Sequence, residues 1–216
     1  MATAKVRASE ARREGRPSAA SADLLIEAAE ALMAEGGVAG VSLREISRAA
    51  GQGNNNAVQY HFGDLAGLIG AIQRKRLVEI ERRRADMLAA ARAEDRLGDL
   101  RRLTDILYRP LLDQRTADGE QRYARFLLAV LSSPGAFGLD MSLFDAMPVS
   151  REVLRLMQAA APHLSMELVL ERQRLIALMV LNCAFNRSPG RSPELSEAVL
   201  LDDALAMATA ALAAHA

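Results

Sequence analysis

The 216-residue chain has one cysteine, Cys183, no tryptophan and only 4% aromatic residues. A lone thiol excludes an intramolecular disulfide and any cysteine-rich zinc site. The three histidines, His61, His163 and His215, are too scattered for a metal cluster, so neither a metal nor another cofactor is expected. An excess of charge is missing as well: 27 Lys and Arg face 27 Asp and Glu, for a net charge of zero. Taken alone, that balance argues against nucleic acid as a partner. Long apolar runs are also absent. The longest uncharged stretches, 175–185 and 204–216, fall short of the roughly 20 residues a bilayer crossing needs, so no membrane association is expected. Residues 1–16 are basic and alanine-rich without an apolar segment, which excludes a secretory signal and makes the cytoplasm the default location.

Strand patterns are lacking too. Alternation is absent, β-branched residues are sparse, and Ala, Leu, Arg and Glu dominate, so the fold class is all-α. Residues 1–20 read as a flexible basic arm. A first helix is expected from about Ser21 to Glu35, with Leu25, Ala28, Ala29, Leu32 and Met33 on one face and Gly36-Gly37 ending it. Ser42-Leu-Arg-Glu45 has the form of a capping box and opens a helix of about two turns. After Gly51-Gln52-Gly53, a third short helix is expected from about Asn54 to His61. A fourth opens at Gly63-Asp64 and continues to about Arg92. The rest reads as four or five amphipathic helices, broken at Asp118-Gly119, Ser133-Pro134-Gly135, Pro148, Pro162 and Ser188-Pro189-Gly190.

Two short helices joined by a glycine-containing turn and braced by a preceding helix form a helix-turn-helix. The second of them can enter a major groove about 12 Å wide. Its content suits that role: Asn54, Asn55, Asn56 and Gln59 carry amides that can pair bidentately with adenine. Tyr60 and His61 can bond phosphate oxygens. An Asn run beside Gly equally makes a turn and an N-cap, which is the competing role for Asn54 above all.

Residues 21 to about 72 resemble the DNA-binding domain of the TetR family of bacterial transcriptional regulators. The likeness rests on the helix ending in Glu35-Gly36, on Val41-Ser-Leu-Arg-Glu-Ile-Ser-Arg-Ala-Ala-Gly51, and on Tyr60-His61-Phe62 followed by Leu68. It implies an N-terminal three-helix helix-turn-helix domain (21–68), joined by a long fourth helix to a helical domain (69–216) that binds an effector and dimerises. Ser42 and Arg44 join the candidate DNA-contacting residues through the resemblance. There are departures. One extra residue falls near Gln52-Gly53, Gln59 stands where Tyr is common, and Leu65-Ala66 replaces a usual Lys-Glu pair whose Lys grips a phosphate.

The resemblance further implies pairing of the last two helices, Met166–Phe185 and about Pro193 to Ala214, with their copies in a homodimer. The expected effector is small and largely apolar. Phe126, Phe144, Met147, Met157, Met179 and Phe185 are its candidate contacts, since flexible thioethers and aromatic rings line adaptable cavities. The same side chains also make ordinary core. Cys183 lies in an apolar helix and reads as an inert thiol.

The sequence has no G-x-S-x-G, H-E-x-x-H or G-x-x-x-x-G-K motif, so a non-enzymatic binding protein is expected. The leading function is a ligand-responsive regulator, a repressor on a palindromic operator in double-stranded DNA. The alternative is a helical ligand-binding or interaction protein that kept the fold with weak or no specific DNA binding. The zero net charge also resolves into parts. Residues 1–92 hold 14 basic against 11 acidic residues, and 93–216 hold 13 against 16. Within the first part, 70–84 holds six basic against two acidic residues. That cancellation is compatible with a basic DNA-facing end.

Overall fold

The structure is a computed structural model and describes residues 19–52, 56–133, 141–185 and 196–215. Among these residues there are nine α-helices, one 3-10 turn and no strand. The helices are α1 (Ala19–Gly36), α2 (Leu43–Ala49), α3 (Ala57–Phe62), α4 (Leu65–Ala93), α5 (Leu100–Leu112), α6 (Arg122–Leu131), α7 (Pro148–Ala160), α8 (Met166–Phe185) and α9 (Glu197–Ala213). The 3-10 turn, Met141–Ala146, precedes α7. The arm at 1–18 and the predicted start of the last helix at Pro193 lie outside the described residues.

Local chemistry sets the N-terminal boundaries. The α1 stripe of Leu25, Ile26, Ala29 and Met33 is buried. Its helix stops where Gly37, at φ +74°, donates its amide to the Met33 carbonyl at 3.0 Å. The capping box forms as expected: Ser42 Oγ accepts from the Glu45 amide at 3.3 Å, and the Glu45 carboxylate accepts from the Ser42 amide at 2.8 Å. The third helix begins at Ala57, three residues later than the sequence suggests, because Asn56 is the N-cap rather than a helical residue. α4 starts when Asp64 Oδ1 accepts from the Gly67 amide at 2.8 Å. It then runs 29 residues, which at 1.5 Å per residue is about 44 Å.

Among the described residues five helices follow α4, within the four or five expected. The break expected at Pro148 falls there: the 3-10 turn ends at Ala146 and Pro148 is the first residue of α7, where its missing N–H costs nothing. One apolar core extends from Leu25 and Ile46 in the N-terminal helices, through Ile80, Leu103 and Phe126, to Val180 and Leu212. α1 therefore packs not only on α2 and α4 but along α6. α5 lies among α4, α7 and α9, and α8 packs along α9.

Polar groups tie the helices together where apolar packing alone would leave their register open. The Arg84 guanidinium donates to the Leu107 carbonyl at 3.1 Å and to Ser150 Oγ at 2.7 Å. Glu81 accepts from the Val149 and Ser150 amides at 2.8 and 3.2 Å, so a carboxylate of α4 caps the N-terminus of α7. Tyr108 donates to Gln173 Oε1 at 2.7 Å, joining α5 to α8. All five of these side chains are buried, and each has a partner, as burial demands.

Candidate nucleic-acid interface

α2 and α3 pack against each other and on α1, and α3 also packs on α4. Ile46 and Ser47 of α2, and Ala57 and Val58 of α3, point inward and are buried. That leaves Asn56, Gln59 and Tyr60 at i, i+3 and i+4, the spacing of one face of a helical turn. All three are exposed, Tyr60 to 72%. A large aromatic held that far into solvent has given up burial worth about 1.5–3 kcal/mol for a side chain of this size. Such a position is informative about binding rather than about packing.

The direction of α3 is set by the corner that follows it. Gly63 has φ +78°, a region that side chains other than glycine rarely adopt. Gly67, in the first turn of α4, approaches so closely that a Cβ there would lie 2.0 Å from the Phe62 carbonyl oxygen. Phe62 itself is partly buried and packs against the core. The first turn of α4 therefore sits directly against the last residue of α3, and a side chain at either glycine would re-aim the helix.

The other sequence candidates divide. Arg44 is exposed on the first turn of α2. The Ser42 hydroxyl is occupied by the cap, donating to Glu45 Oε2 at 2.8 Å. Hydrogen bonds from the Ser42 amide, then from its hydroxyl, hold the Glu45 carboxyl below the usual carboxylate range. His61 is half-buried, and its Nε2 is shielded from solvent with no hydrogen-bond partner among the described residues. Its ring lies edge-on to Tyr60 at a centroid distance of 5.5 Å and beside Phe62 at 5.7 Å. Asn54 and Asn55 lie outside the described residues.

The basic stretch at 70–84 is largely not a DNA-facing surface. Lys75 pairs with Asp23 at 2.9 Å, and Arg76 with Glu30 at 2.7 Å. Arg82 pairs with Glu79 at 2.7 Å and Arg83 with Asp113 at 3.5 Å, while Arg84 is buried against Glu81 at 3.1 Å. These charges are paired within the chain, and among the described residues the exposed cations of the adjoining helices include Arg44 and Arg48 on α2 and Arg74 on α4.

Among the described residues, the candidate effector contacts fall in different places. Phe126 and Met157 are fully buried, with Phe126 stacked on Tyr123 at a ring-centroid distance of 5.8 Å. Met157 Sδ accepts from Gln173 Nε2 at 3.3 Å. Met147 sits in a small separate cluster with Leu77 and Leu143. Met179 and Phe185 are partly buried on α8, and Arg125 lies 5.3 Å over the Phe185 ring. The Phe144 side chain lies outside the described residues. An open cavity of about 250 Å³ lies elsewhere, between α1, α4 and the loop joining α5 to α6, and its lining is polar. Glu30, Arg76 and Gln114, which line it, escaped sequence reading because they are brought together from distant parts of the chain.

Two short helices with buried inner faces, an exposed polar outer face and a bracing helix form a helix-turn-helix arrangement. Residues 25–72 match the family model described as bacterial regulatory proteins, tetR family; the match covers the first three helices and the start of α4 of an all-α fold. Two solved structures are similar to most of the chain. A protein described as a TetR-family transcriptional regulator from Mesorhizobium loti has 16% identity over 90% of this chain and 98% of its own, with a TM-score of 0.40. NalD of Pseudomonas aeruginosa, the secondary repressor of the MexAB-OprM multidrug efflux pump, has 21% identity over 90% of this chain and 86% of its own, also with a TM-score of 0.40. No curated protein matches the chain. No helix among the described residues is long and apolar enough to cross a membrane.

Proposed function

We propose that the chain is a ligand-responsive transcriptional repressor that binds a palindromic operator as a homodimer. The observation that carries this reading is the exposed face of Asn56, Gln59 and Tyr60 on α3, within the segment that matches the tetR family. Gln59 and Asn56 would read base edges, and Tyr60 and Arg44 would grip phosphates; the amides of Asn54 and Asn55 would add further base contacts. Ser42 would contribute through its cap, by fixing the start of α2. His61 would hold the orientation of α3 and touch phosphate only through its exposed edge.

Two half-sites one helical turn apart, about 34–36 Å, require two copies of α3 related by a two-fold axis. The exposed apolar residues of α8 and α9 supply a face for that axis. Leu175 is 57% exposed, Val199 52% and Met207 43%. Val199 and Met207 are eight residues apart and share one helix face. The domain division at residue 68, with DNA binding before it and effector binding and dimerisation after it, belongs to the same reading.

An apolar effector would enter among α6, α7 and α8 by parting Phe126, Phe144, Met147, Met157, Met179 and Phe185. Phe126 and Met157 are buried in the core in the present arrangement, so the ligand would favour a second packing of these helices. Its effect on DNA affinity would equal its differential affinity for the two packings.

Operator selection from a random duplex library, followed by gel shift and light scattering of the free protein, tests the proposal. A palindromic selected sequence bound by two copies of the chain is expected. A protein that remains monomeric, or a library that yields no enriched sequence, contradicts it and favours an interaction protein that kept the fold.

A further inference from the structure

We propose that His163 and His215 form a two-imidazole site for an exchangeable transition-metal dication of the nickel or zinc kind. The two residues are far apart in the sequence, and the fold brings their rings together. His163 lies in the corner between α7 and α8, and His215 lies just beyond the C-terminus of α9. Their ring centroids are 4.4 Å apart, with a tilt of 38° between the planes. Both residues are exposed, so ions in solution reach them.

The hydrogen bonding of His163 decides which of its nitrogens is available. Nε2 lies 3.0 Å from the Ala214 carbonyl oxygen. A carbonyl oxygen only accepts, so Nε2 carries the proton and donates it, and the neutral ring keeps its lone pair on Nδ1. A metal-bound histidine has the same form: its other nitrogen donates to a carbonyl, a carboxylate or water, which fixes the tautomer and makes the ligand more basic. The acceptor is itself held in place. Arg172 Nη1 donates to the Ala214 carbonyl and to the Ala211 carbonyl, each at 2.7 Å. Because His215 follows Ala214 directly, this anchor positions the backbone of both ligands. Metal–nitrogen bonds of about 2.0–2.1 Å put the centroids of two neighbouring imidazoles on one ion roughly 4.5–5.2 Å apart. The observed separation is just inside that range, so a small outward turn of the exposed His215 ring suffices.

The surroundings select the class of ion. The Arg172 guanidinium shares the Ala214 carbonyl with His163 and opposes any cation held by charge alone. The last carbonyls of α9 carry partial negative charge that offsets part of that repulsion. Among the described residues, no third imidazole, thiol or carboxylate joins the pair. Hard ions such as Ca²⁺ and Mg²⁺ need oxygen ligands and find no such set here. Two neutral imidazoles suit Ni²⁺, Cu²⁺ or Zn²⁺. Water fills the remaining positions, which makes the ion exchangeable rather than a fixed part of the fold. Bound there, it ties the end of α9 to the corner between α7 and α8. The site stands apart from the DNA-binding and effector readings above and does not depend on them.

Isothermal titration calorimetry of the full chain without a histidine tag, slightly above neutral pH, tests the site with NiCl₂ as the probe and MgCl₂ as the control. Saturable binding of one Ni²⁺ per chain is expected, with no saturable binding of Mg²⁺. His163→Ala and His215→Ala each remove one ligand and should weaken Ni²⁺ by roughly tenfold or more. His215 lies beyond the last helix, so its variant serves if His163→Ala disturbs the α7–α8 corner. Cys183→Ser removes the one thiol of the chain, a competing soft ligand, and should leave the affinity unchanged. No saturable Ni²⁺ binding to the wild-type chain, Mg²⁺ binding of equal affinity, undiminished Ni²⁺ affinity in a folded histidine variant, or loss of binding in Cys183→Ser would overturn the proposal.

Discussion

One carboxylate oxygen of Glu30, on the first helix of the DNA-binding unit, receives Nε of Arg76 at 2.8 Å and Nη2 at 2.7 Å, from a residue 46 positions later on α4. Glu27 adds a contact to the same guanidinium at 3.1 Å, one helical turn earlier on α1. α1 is therefore held to the linking helix by a buried charge pair in addition to its apolar stripe. Because α4 continues into the body of the protein, the pair fixes the angle at which α2 and α3 leave that body.

Arg76→Ala would leave Glu30 buried without its partner, the costly way to break such a pair. Loss of one partner of a buried ion pair destabilises by about 3–5 kcal/mol, and the lower end applies because Arg76 is 23% exposed. Urea unfolding should show a midpoint shift of that size. A midpoint within error of wild type would show that the pair contributes nothing.

The same carboxyl predicts a pH dependence. Burial raises Glu30 above its ordinary 4.5, opposed by Arg76 and reinforced by Glu27, with Arg122 a weaker opposing charge. A raised folded value means the native state binds the proton more tightly than the unfolded chain does. The associated stability is fully present below 4.5 and is lost as pH rises through the raised value. Relative to Glu30→Gln, which cannot titrate there, the wild-type chain should gain stability as pH falls from 7 toward 4.5. Paired urea melts across that range check this, and a difference independent of pH contradicts it.

Ser42→Ala removes the side-chain half of the capping box. The loss should be about 1 kcal/mol of stability, as for other N-caps. The Glu45 carboxyl is held low by Ser42, so its share of the box is present above 4.5 and disappears as pH falls through its depressed value. The difference between variant and wild type should therefore narrow in acid. Thermal melts at neutral and acid pH measure both effects.

Gly67→Ala would put a methyl group 2.0 Å from the Phe62 carbonyl oxygen. Neither atom is on a flexible side chain, so the corner between α3 and α4 must open. Overpacking of this kind costs about 1–3 kcal/mol. Operator affinity should fall further than stability alone accounts for, because the displaced element is α3 itself. Equal losses in both would place the strain away from the recognition helix.

Much of this fold is written in local signals. Gly37 after the α1 stripe, Ser42 with Glu45, and Asp64 ahead of α4 each act within four residues, and each forms where the sequence places it. The start of α3 differs from the sequence pattern because Asn56 takes the N-cap position and does not enter the helix. What sequence could not show was long-range pairing. The basic run at 74–84 looks like a DNA-facing surface until Asp23, Glu27, Glu30 and Asp113 arrive from other helices to occupy it. Likewise, the candidate methionines and phenylalanines share a composition, yet Met147 falls in a different cluster from Met157 and Phe126. On the site itself, the pattern identified Gln59 and Tyr60, whose exposure the fold displays, and did not foresee that His61 Nε2 turns inward.

The central claim is that the outer face of α3 reads base sequence while neighbouring residues hold the phosphates. Fluorescence anisotropy of a selected operator and a scrambled duplex, titrated across salt concentrations with wild-type protein, Gln59→Ala and Arg44→Ala, tests it most directly. The wild-type chain should prefer the operator, with affinity falling steeply as salt rises. Gln59→Ala should relax discrimination at one position by about 1–3 kcal/mol, and Arg44→Ala should weaken both duplexes alike and lower the salt slope by about one. Equal affinity of the wild-type chain for operator and scrambled duplex, unchanged by either substitution, would contradict the account.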